Sequence, residues 1–521
     1  MTRLCLNLRY RFLCAFLVSF LAAISLLADA AENAWYDIAR ASITTAEIQG
    51  HVDYLAADML EGREAGSRGG HAAAKYILEL VQQTSLEPAG TNGTFQQHFQ
   101  GHSQNLLALL PGSDPDLKHE TIIVGAHYDH VGYGNRRNSF GPFGYVHNGA
   151  DDNASGVSAV LELIDALTRT EQRPRRSILF AFWDGEEKGL LGSSYWVRKP
   201  TVPLSSVKLA INVDMVGRLT DGRIEVGGTR SGSGFRRLMS TPNLNEAWLD
   251  FNWEYKNNSD HWTFFQKQIP SLYIHTGLHD DYHRPSDDVE KINIPGIRMV
   301  TSYMLEQVVE LADADYLPEY RSAARLDNPF NQTRLEKPLP PMASRLSFTW
   351  EKAADGSLEV KDGLETNSTV QRGDKIVSVN NLPLSDGIML ESLALQSDSP
   401  LQMSIKRAGI DEQLDVSVPL SGNPVQLGLS WRDDPAEPQS VYVTRVVPHS
   451  PADRAGFQVN DRIYAADDKD FADRNELLQH VQSQIANEAS MIRFEVESRG
   501  VIHPLEVHMN VLHGNTSDAS L

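Results

Sequence analysis

Two adjacent glutamates follow a short apolar run in the first half of the chain. Glu186 and Glu187 come directly after "RRSILFAFWDG", whose aliphatic and aromatic residues predict a buried strand. Neighbouring carboxylates repel each other unless a cation or a proton compensates their charge. Ligands bind at the carboxyl ends of strands in open α/β sheets. The pair therefore indicates either a solvated acidic turn at a strand exit or a metal site.

Four further segments carry side chains that bind hard or borderline metal ions. They hold His127 and Asp129 in "GAHYDH", Asp151 and Asp152 in "HNGADDNASG", Asp214 in "NVDMVG" and His283 in "DDYHRPSDD". Taken singly, a histidine of this kind is a core or surface residue, and the aspartate pair caps the helix that follows. Asp214 is different, because an unpaired carboxylate in an apolar strand is costly. The joint occurrence at predicted strand exits and loops favours one metal site.

The elements that carry these residues alternate between two periodicities. "GHAAAKYILELVQQ" and "ASGVSAVLELIDALTR" have the helical period, whereas "ETIIVGAHYDH" and "VKLAINVDMVG" are typical of strands. This alternation over residues 31–326 predicts an α/β fold with a largely parallel sheet.

The first thirty residues predict a secretory signal peptide. Three arginines precede the run "FLCAFLVSFLAAISLLA", and the small residues "ADA" end the segment at Ala30. A membrane anchor is the alternative, although the apolar run is short for a span. Both cysteines, Cys5 and Cys14, lie in this leader, so a mature chain must hold any metal with His, Asp and Glu. We expect an exported protein, periplasmic or extracellular.

Composition limits the classes of partner. The chain has 521 residues, 41% hydrophobic and 22% charged, which predicts more than one globular domain. A formal net charge of −21 disfavours nucleic acids and anionic membranes as partners. Because no other stretch is long and apolar enough to cross a bilayer, we expect no membrane span after signal cleavage.

The second part of the chain follows a proline-rich linker. Residues 327–344 contain four prolines and have no periodicity, which is typical of a linker. Residues 345–420 and 423–513 then repeat one order of segments, from "LSFTW" and "LGLSW" to "PLQMSIKRAG" and "SMIRFEVESRG". This recurrence predicts two small β-rich domains in tandem.

The region from Ile48 to Asn293 resembles the zinc metallopeptidases of family 28. The likeness includes "HVDYLAADMLEGREAGSRGG" upstream and the motif order HxD, GADDNASG, EE, NVDMVG and YHRPSD. The resemblance implies the zinc aminopeptidase fold, a mostly parallel mixed sheet with helices on both faces. It also implies two Zn²⁺ per chain and hydrolysis of peptides that have a free N-terminus.

The resemblance further implies a role for each polar residue. The implied metal ligands are Asp151 as the bridge between the ions, His127 and Asp214 on one ion, and Glu187 and His283 on the other. Asp129 would fix the imidazole of His127, and Asp287 would do the same for His283. Glu186 would pass a proton from a metal-bridging water to the leaving amine.

Several alternatives stay open at this stage. The same two-zinc core serves carboxypeptidases and other amide hydrolases, so the choice of aminopeptidase depends on the resemblance. Residues 133–147 form either a loop over the cleft or a plain surface insertion. The chain could also be a binding protein in which the peptidase fold is only a scaffold.

The second repeat resembles a PDZ domain in "LGLSW" and "VVPHSPADRAGFQVNDRI", and the first repeat is a weaker match. PDZ domains bind C-terminal peptide tails by strand addition, with backbone N–H groups taking the carboxylate. The resemblance implies that Leu427, Gly428 and Leu429 supply those groups. A tail region that only packs on the peptidase domain is the alternative. Whether the first repeat binds a ligand is left open.

Overall fold

The computed structural model describes residues 35–241, 243, 247–362 and 369–509. The predicted signal peptide over residues 1–30 lies outside these ranges. The chain divides between Asn328 and Pro329 into two compact units.

The first unit is built on a nine-stranded mixed sheet. Its strands are β1 (Glu87–Pro88), β2 (Gln96–Phe99), β3 (Ser103–Leu110), β4 (Thr121–His127), β5 (Ser177–Trp183), β6 (Val207–Val213), β7 (Arg223–Gly227), β8 (Trp248–Asn252) and β9 (Ser271–His275). They lie in the order β1-β3-β5-β4-β6-β9-β7-β8, and β2 pairs with β3. The central strands β5, β4, β6 and β9 are mutually parallel, whereas β3 and β7 join them antiparallel.

Helices cover both faces of this sheet. They are α1 (Thr45–Leu55), α2 (Arg68–Val81), α3 (Gly156–Thr168), α4 (Leu191–Arg198), α5 (Phe235–Ser240), α6 (His261–Gln266) and α7 (Ile294–Asp313). Side chains alternate across β4, so that Ile122 and Val124 pack in one apolar cluster with α1, α3 and α7. Ile123 packs on the opposite face with Trp196 of α4 and Phe264 of α6. The predicted α/β fold with helices on both faces is therefore confirmed.

The second unit contains two sheets of the same topology. The first repeat has β10 (Trp350–Lys352), β11 (Leu358–Val360), β12 (Lys375–Val379), β13 (Leu382–Pro383), β14 (Leu401–Lys406) and β15 (Leu414–Val418). The second has β16 (Leu429–Asp434), β17 (Glu437–Val446), β18 (Arg462–Ala466), β19 (Lys469–Asp470), β20 (Met491–Ser498) and β21 (Val501–His508). The orders β10-β11-β12-β14-β15 and β16-β17-β18-β20-β21 match, and β13 and β19 each add to the third strand. The predicted pair of small β-rich domains is confirmed.

Four helices complete the second unit within the part of the chain that the structure describes. They are α8 (Pro329–Glu336), α9 (Gly387–Gln396), α10 (Pro451–Arg454) and α11 (Arg474–Ala486). The two apolar cores extend from Leu346 to Leu420 and from Leu427 to Val507, inside the predicted domain ranges.

Helix α8 lies in the segment that the sequence predicts as a structureless linker. None of its residues is buried, so it lacks the apolar stripe by which a helix is recognised in a sequence. Pro329 begins it, which is a favoured position for proline. The guanidinium of Arg432 donates to the carbonyls of Arg334, Leu335 and Lys337 at its end. This long-range contact explains why sequence periodicity did not predict the helix.

Within the described ranges, we find no helix that combines the length and the apolar character needed to span a bilayer.

Candidate metal centre and peptide groove

The predicted ligands follow four neighbouring parallel strands. His127 is the last residue of β4, Asp214 follows β6, and Glu187 lies four residues beyond the end of β5 at Trp183. His283 follows β9 in the next loop. Because parallel strands end at the same edge of a sheet, these four side chains meet there.

Asp152 lies between two groups of ligand atoms. Its Oδ1 is 3.3 Å from His127 Nε2, which is also 3.3 Å from Asp214 Oδ1. Its Oδ2 is 3.1 Å from His283 Nε2, which is 3.1 Å from Glu187 Oε2. One carboxylate thus contributes an oxygen to each group. We call the His127, Asp152 and Asp214 side chains the first cluster and the Asp152, Glu187 and His283 side chains the second cluster.

The position expected for Asp151 is wrong. Its Oδ1 accepts from the backbone N–H of Gly217 at 2.5 Å and from Ser155 Oγ at 3.0 Å, and its Oδ2 lies 3.0 Å from His279 Nε2. These contacts hold the carboxylate away from both clusters. The bridging position predicted for Asp151 therefore belongs to Asp152, because the turn that leads into α3 directs the two side chains apart.

Two charged side chains hold this turn in place. Asp287 is fully buried and accepts from the backbone N–H groups of Asp151 and Asp152, at 3.0 Å each. It therefore supports the bridging loop, and the expectation that it orients His283 is wrong. Arg63 donates to the carbonyls of Tyr128, Asn148 and Gly149 among others. The upstream "GREAGSRGG" segment thus joins the loops that carry His127 and Asp152.

Asp129 lies beside His127, but its backbone oxygen and not its carboxylate is within hydrogen-bond distance of the imidazole, and the carboxylate supports Glu186. The Nδ1 of His127 is 3.2 Å from the backbone oxygen of Asp129 and 3.8 Å from its Oδ1. The same Oδ1 accepts from the backbone N–H of Glu186 at 3.0 Å. Asp129 therefore links the residue after β5 to the histidine at the end of β4.

The buried carboxylates of the two clusters are stabilised only if positive charge lies among them. Burial alone lowers the pKa of His127, but Asp214 and Glu186 raise it well above its usual value. Burial likewise lowers the pKa of His283, but Asp152 and Glu187 raise it to about 10. Burial raises the pKa of Asp152, yet hydrogen bonds with His127 and His283 hold it well below its usual range. Buried carboxylates of this kind need cations among them.

The spacing of the ligand atoms fits zinc. Tetrahedral zinc has bonds of about 2.0 to 2.1 Å to nitrogen and oxygen, which places neighbouring ligand atoms about 3.3 Å apart. The four distances that define the clusters are 3.1 to 3.3 Å. All donors are imidazole nitrogens and carboxylate oxygens, as the absence of cysteine after Cys14 requires. The residues therefore fit metal ions at both clusters.

The "SDHW" segment positions Asp214. Ser259 Oγ donates to Asp214 Oδ2 at 2.6 Å and accepts from Asn212 Nδ2 at 2.7 Å. Both polar groups are buried, so the bond holds the outer oxygen of Asp214 while Oδ1 faces His127. Burial raises the pKa of the neighbouring Asp260 to about 6.

Residues 133–147 lie against the segment that carries His283. The Phe140 N–H and Ser139 Oγ both donate to the His283 carbonyl, at 3.1 and 3.0 Å. Arg284 donates to the Phe140 carbonyl in return. The ring of Phe140 is 62% exposed and lies 6.3 Å from the imidazole of His283. These contacts favour a loop at the cleft over a plain surface insertion.

Sequence reasoning assigned no role to His130. Its Nδ1 lies 2.8 Å from Glu187 Oε1 and 3.8 Å from Asp152 Oδ2, and the side chain is completely buried. His130 is the last residue of "GAHYDH", directly after Asp129. A third polar residue beyond the strand end could have indicated from the sequence that it belongs to the site.

The residues predicted to bind peptide tails begin the second repeat. Leu427 is buried, Gly428 has a φ of +89°, and Leu429 is the first residue of β16. A Cβ at Gly428 would lie 2.1 Å from Ser450 Oγ, so this turn requires glycine. Strand β16 is at the edge of its sheet. Asp433 on this strand pairs with Arg474 of α11 at 3.3 Å, which sets helix and edge strand side by side.

Comparison with known proteins finds a family match in each of the two units. Residues 105–308 match the model of Peptidase family M28. This M28 region contains every residue of the two clusters. Residues 442–491 match the model of the PDZ domain, within the second repeat.

The relatives that match the M28 region align with only part of their own length and of this chain. Leupeptin-inactivating enzyme 1 of Streptomyces exfoliatus is 30% identical over 184 residues, 34% of this chain and 38% of that protein. Leucine aminopeptidase 1 of Trichophyton rubrum is 32% identical over 158 residues, 28% of this chain and 39% of that protein. The chain thus spans about two fifths of the length of these curated relatives. The LapA aminopeptidase of Legionella pneumophila is 19% identical with a TM-score of 0.45, over 54% of this chain and 74% of that chain.

Proposed function

We propose that this protein is an exported, zinc-dependent aminopeptidase whose second repeat binds peptide tails. The observation that carries the proposal is the position of Asp152, which gives one oxygen to each of two ligand clusters beside Glu186. Relatives of the M28 region that are named leucine aminopeptidases support the choice of reaction. Export is supported by the composition of residues 1–30 alone.

The two clusters would hold two Zn²⁺ ions. His127, Asp152 and Asp214 would bind one, and Asp152, Glu187 and His283 the other, as the ligand distances support. Each ion would have three protein ligands and keep a position for water or substrate. When bound, zinc supplies a Lewis acid that polarises the peptide carbonyl and lowers the pKa of water.

Glu186 would transfer the proton. Its backbone N–H is fixed by Asp129, and its side chain is only half-buried, so substrate and water can reach it. Burial raises its pKa well above the usual value, and Glu187, Asp260 and Asp214 act in the same direction. A carboxylate with a raised pKa takes a proton from the attacking water and returns it to the leaving amine at neutral pH.

The decisive experiment measures hydrolysis of dipeptide amides by the mature protein with added zinc. Each substrate is offered with a free and with an acetylated N-terminus, and Glu186→Gln is the control variant. We expect cleavage of free amines only, and a 10²- to 10⁴-fold loss of kcat in the variant, the range for a lost general base. Cleavage of acetylated substrates would show that the protein is another kind of amide hydrolase and not an aminopeptidase. An active Glu186→Gln variant would overturn the role of Glu186.

The second repeat would bind a peptide C-terminus along β16. Edge strands offer unpaired backbone groups to an added strand, and the turn at Gly428 is tight. A cavity of about 360 Å³ lies at this end of the repeat, lined by Gln426, Pro451 and Ile485 among others. A peptide tail with a free carboxylate would end there.

The first repeat would bind tails more weakly, because it lacks the glycine of the tight turn, although a cavity of about 580 Å³ lies beside its Trp350, Gly387 and Glu391. Trp350 of β10 donates from Nε1 to Glu391 of α9 at 2.6 Å. A Cβ at Gly387 would lie 1.8 Å from the Trp350 ring, so the indole lies directly against the first turn of α9. Ser347 stands where the second repeat has Gly428.

Binding of fluorescent peptides with free or amidated C-termini tests this difference. We expect free-carboxylate peptides to bind the wild-type chain and to lose affinity at least tenfold in Gly428→Ala. Ser347→Ala, the change at the corresponding position of the first repeat, should leave binding unchanged. Equal loss in both variants would contradict the assignment of the groove to the second repeat.

A further inference from the structure

His130 is a buried imidazole that the proposed mechanism does not use. Its side chain has no exposed surface, and its Nδ1 lies 2.8 Å from Oε1 of Glu187. The other oxygen of that carboxylate, Oε2, faces His283 Nε2 at 3.1 Å. The two oxygens of Glu187 therefore have different partners, one on each side.

The imidazole itself is held rigidly. The backbone N–H of His130 donates to the Arg63 carbonyl at 3.2 Å. Its ring lies against Gly149, where a Cβ would come within 2.5 Å of the imidazole Cδ2. The ring of His283 meets it edge-on at 5.6 Å. Because these contacts fix the ring, Nδ1 is a stationary partner for the flexible side chain of Glu187.

The hydrogen bond also assigns the tautomer. Among the described residues, Nε2 of His130 has no hydrogen-bond partner, whereas Nδ1 faces a carboxylate. The 2.8 Å between Nδ1 and Glu187 Oε1 is a hydrogen-bond distance, shorter than the 3.1 to 3.3 Å between the ligand atoms of the clusters, so Nδ1 donates to the carboxylate. A nitrogen that donates in this way has no lone pair for a metal ion.

The geometry points to His130 as a positioning residue that binds Oε1 of Glu187 and leaves Oε2 alone to ligate the metal ion of the second cluster. This inference rests on the proposed two-zinc function. A carboxylate whose free oxygen is hydrogen-bonded is fixed in orientation, and loss of such a partner typically weakens metal binding 10- to 100-fold. His130 lies 3.8 Å from Oδ2 of Asp152, the oxygen that faces His283, and not beside Oδ1, which faces His127, so the larger effect is expected at the second cluster.

Zinc titration of the metal-free full chain against a chromophoric chelator tests the inference. We expect His130→Ala to weaken one of two zinc sites 10- to 100-fold and to leave the other within about twofold. In His130→Asn, the side-chain amide N–H replaces Nδ1–H, and we expect affinity within about threefold of wild type. His98→Ala removes an exposed histidine that belongs to neither cluster, and it controls for adventitious zinc binding.

Three outcomes separate the possibilities. Two sites of wild-type affinity in His130→Ala would overturn the inference alone. Equal impairment in His130→Asn and His130→Ala would show that the imidazole itself is a ligand, and would also overturn it. A wild-type chain that binds no zinc would overturn the proposed function together with the inference. The Co²⁺ absorption spectrum gives an independent reading: loss of a nitrogen ligand would change it, whereas His130→Asn, which keeps a hydrogen bond to Glu187, should leave it unchanged.

Discussion

The chain has two pairs of adjacent carboxylates beside the two clusters, Asp151 with Asp152 and Glu186 with Glu187, and the two pairs differ in their surroundings. In the pair Asp151 and Asp152, the second residue faces both clusters and the first is sealed by three hydrogen-bond partners. In the pair Glu186 and Glu187, the second residue again faces a cluster, but the first keeps an accessible carboxylate.

The difference between the pairs lies in the donors around the first residue. The turn before α3 surrounds Asp151 with a backbone N–H, a hydroxyl and an imidazole. The strand exit after β5 fixes the Glu186 backbone, whose N–H donates to Asp129, but among the described residues no hydrogen-bond donor faces the Glu186 carboxylate. A carboxylate with its lone pairs occupied serves structure, whereas one without donors has a raised pKa and suits proton transfer.

The largest effect is expected for Asp152→Asn, because this carboxylate serves both clusters. The amide nitrogen cannot ligate, so one cluster loses an oxygen and the other its negative charge. We expect loss of zinc at both sites and a fall in activity of roughly 10³-fold or more, since metal ions supply several kcal/mol of charge stabilisation. Zinc content after dialysis and kcat for a dipeptide amide are the measurements.

The neighbouring Asp151→Asn is the matched control. It removes the same charge one residue earlier, and it should retain two zinc ions and most of the activity. Equal zinc loss in both variants would contradict the distinction between the two aspartates.

Glu187→Gln should have a smaller effect that is confined to one cluster. Only the second cluster uses this carboxylate, so we expect one zinc ion to remain with wild-type affinity. Activity should fall about 10²-fold, because the remaining ion still polarises the substrate carbonyl. Stoichiometry from zinc titration is the measurement, and a variant that loses both ions would refute the division into two clusters.

The sequence predicted the strand exits better than the turns. His127 and Asp214 follow runs of buried residues, and the strand pattern therefore located them at one sheet edge. The choice between Asp151 and Asp152 depends on backbone dihedrals in a turn, which residue spacing does not encode. The bond from His130 to Glu187 and the bonds of Arg63 connect residues far apart in sequence, and no local pattern contains them.

The prediction of a tail-binding groove shows the same limit. Gly428 could be recognised in the sequence, and in the structure it adopts a positive φ. The tryptophan at 350 was equally visible, but its packing against Gly387 depends on the path of a helix 37 residues later. The exchange of Gly428 for Ser347 is a local difference between the repeats, whereas the packing of Trp350 on α9 is a long-range feature.

Asp151→Asn should also destabilise the fold. Asp151 is completely buried, and its charged oxygens accept bonds from Gly217, Ser155 and His279. The amide keeps one acceptor and places an N–H against groups that donate. We expect a loss of about 1 to 3 kcal/mol in the free energy of unfolding, the cost of a mismatched buried polar group. Urea denaturation of the metal-free protein measures it, and a loss below about 0.5 kcal/mol would contradict the structural role.

The smallest expected effect is the pH dependence of stability in metal-free Glu186→Gln. Burial raises the pKa of Glu186 above the value near 4.5 that applies in the unfolded chain. The folded state therefore binds this proton more tightly, so the contribution of Glu186 to stability is complete below pH 4.5 and is lost as the pH rises. Glutamine does not ionise, and the variant should gain stability relative to wild type between pH 4.5 and pH 8. Paired urea titrations of the two proteins across this range measure the difference in their free energies of unfolding. A difference that does not change with pH would show that the pKa of Glu186 is not raised in the folded state. Added zinc should diminish the gain, because a cation beside Glu186 stabilises its charged form and removes the reason for the raised pKa.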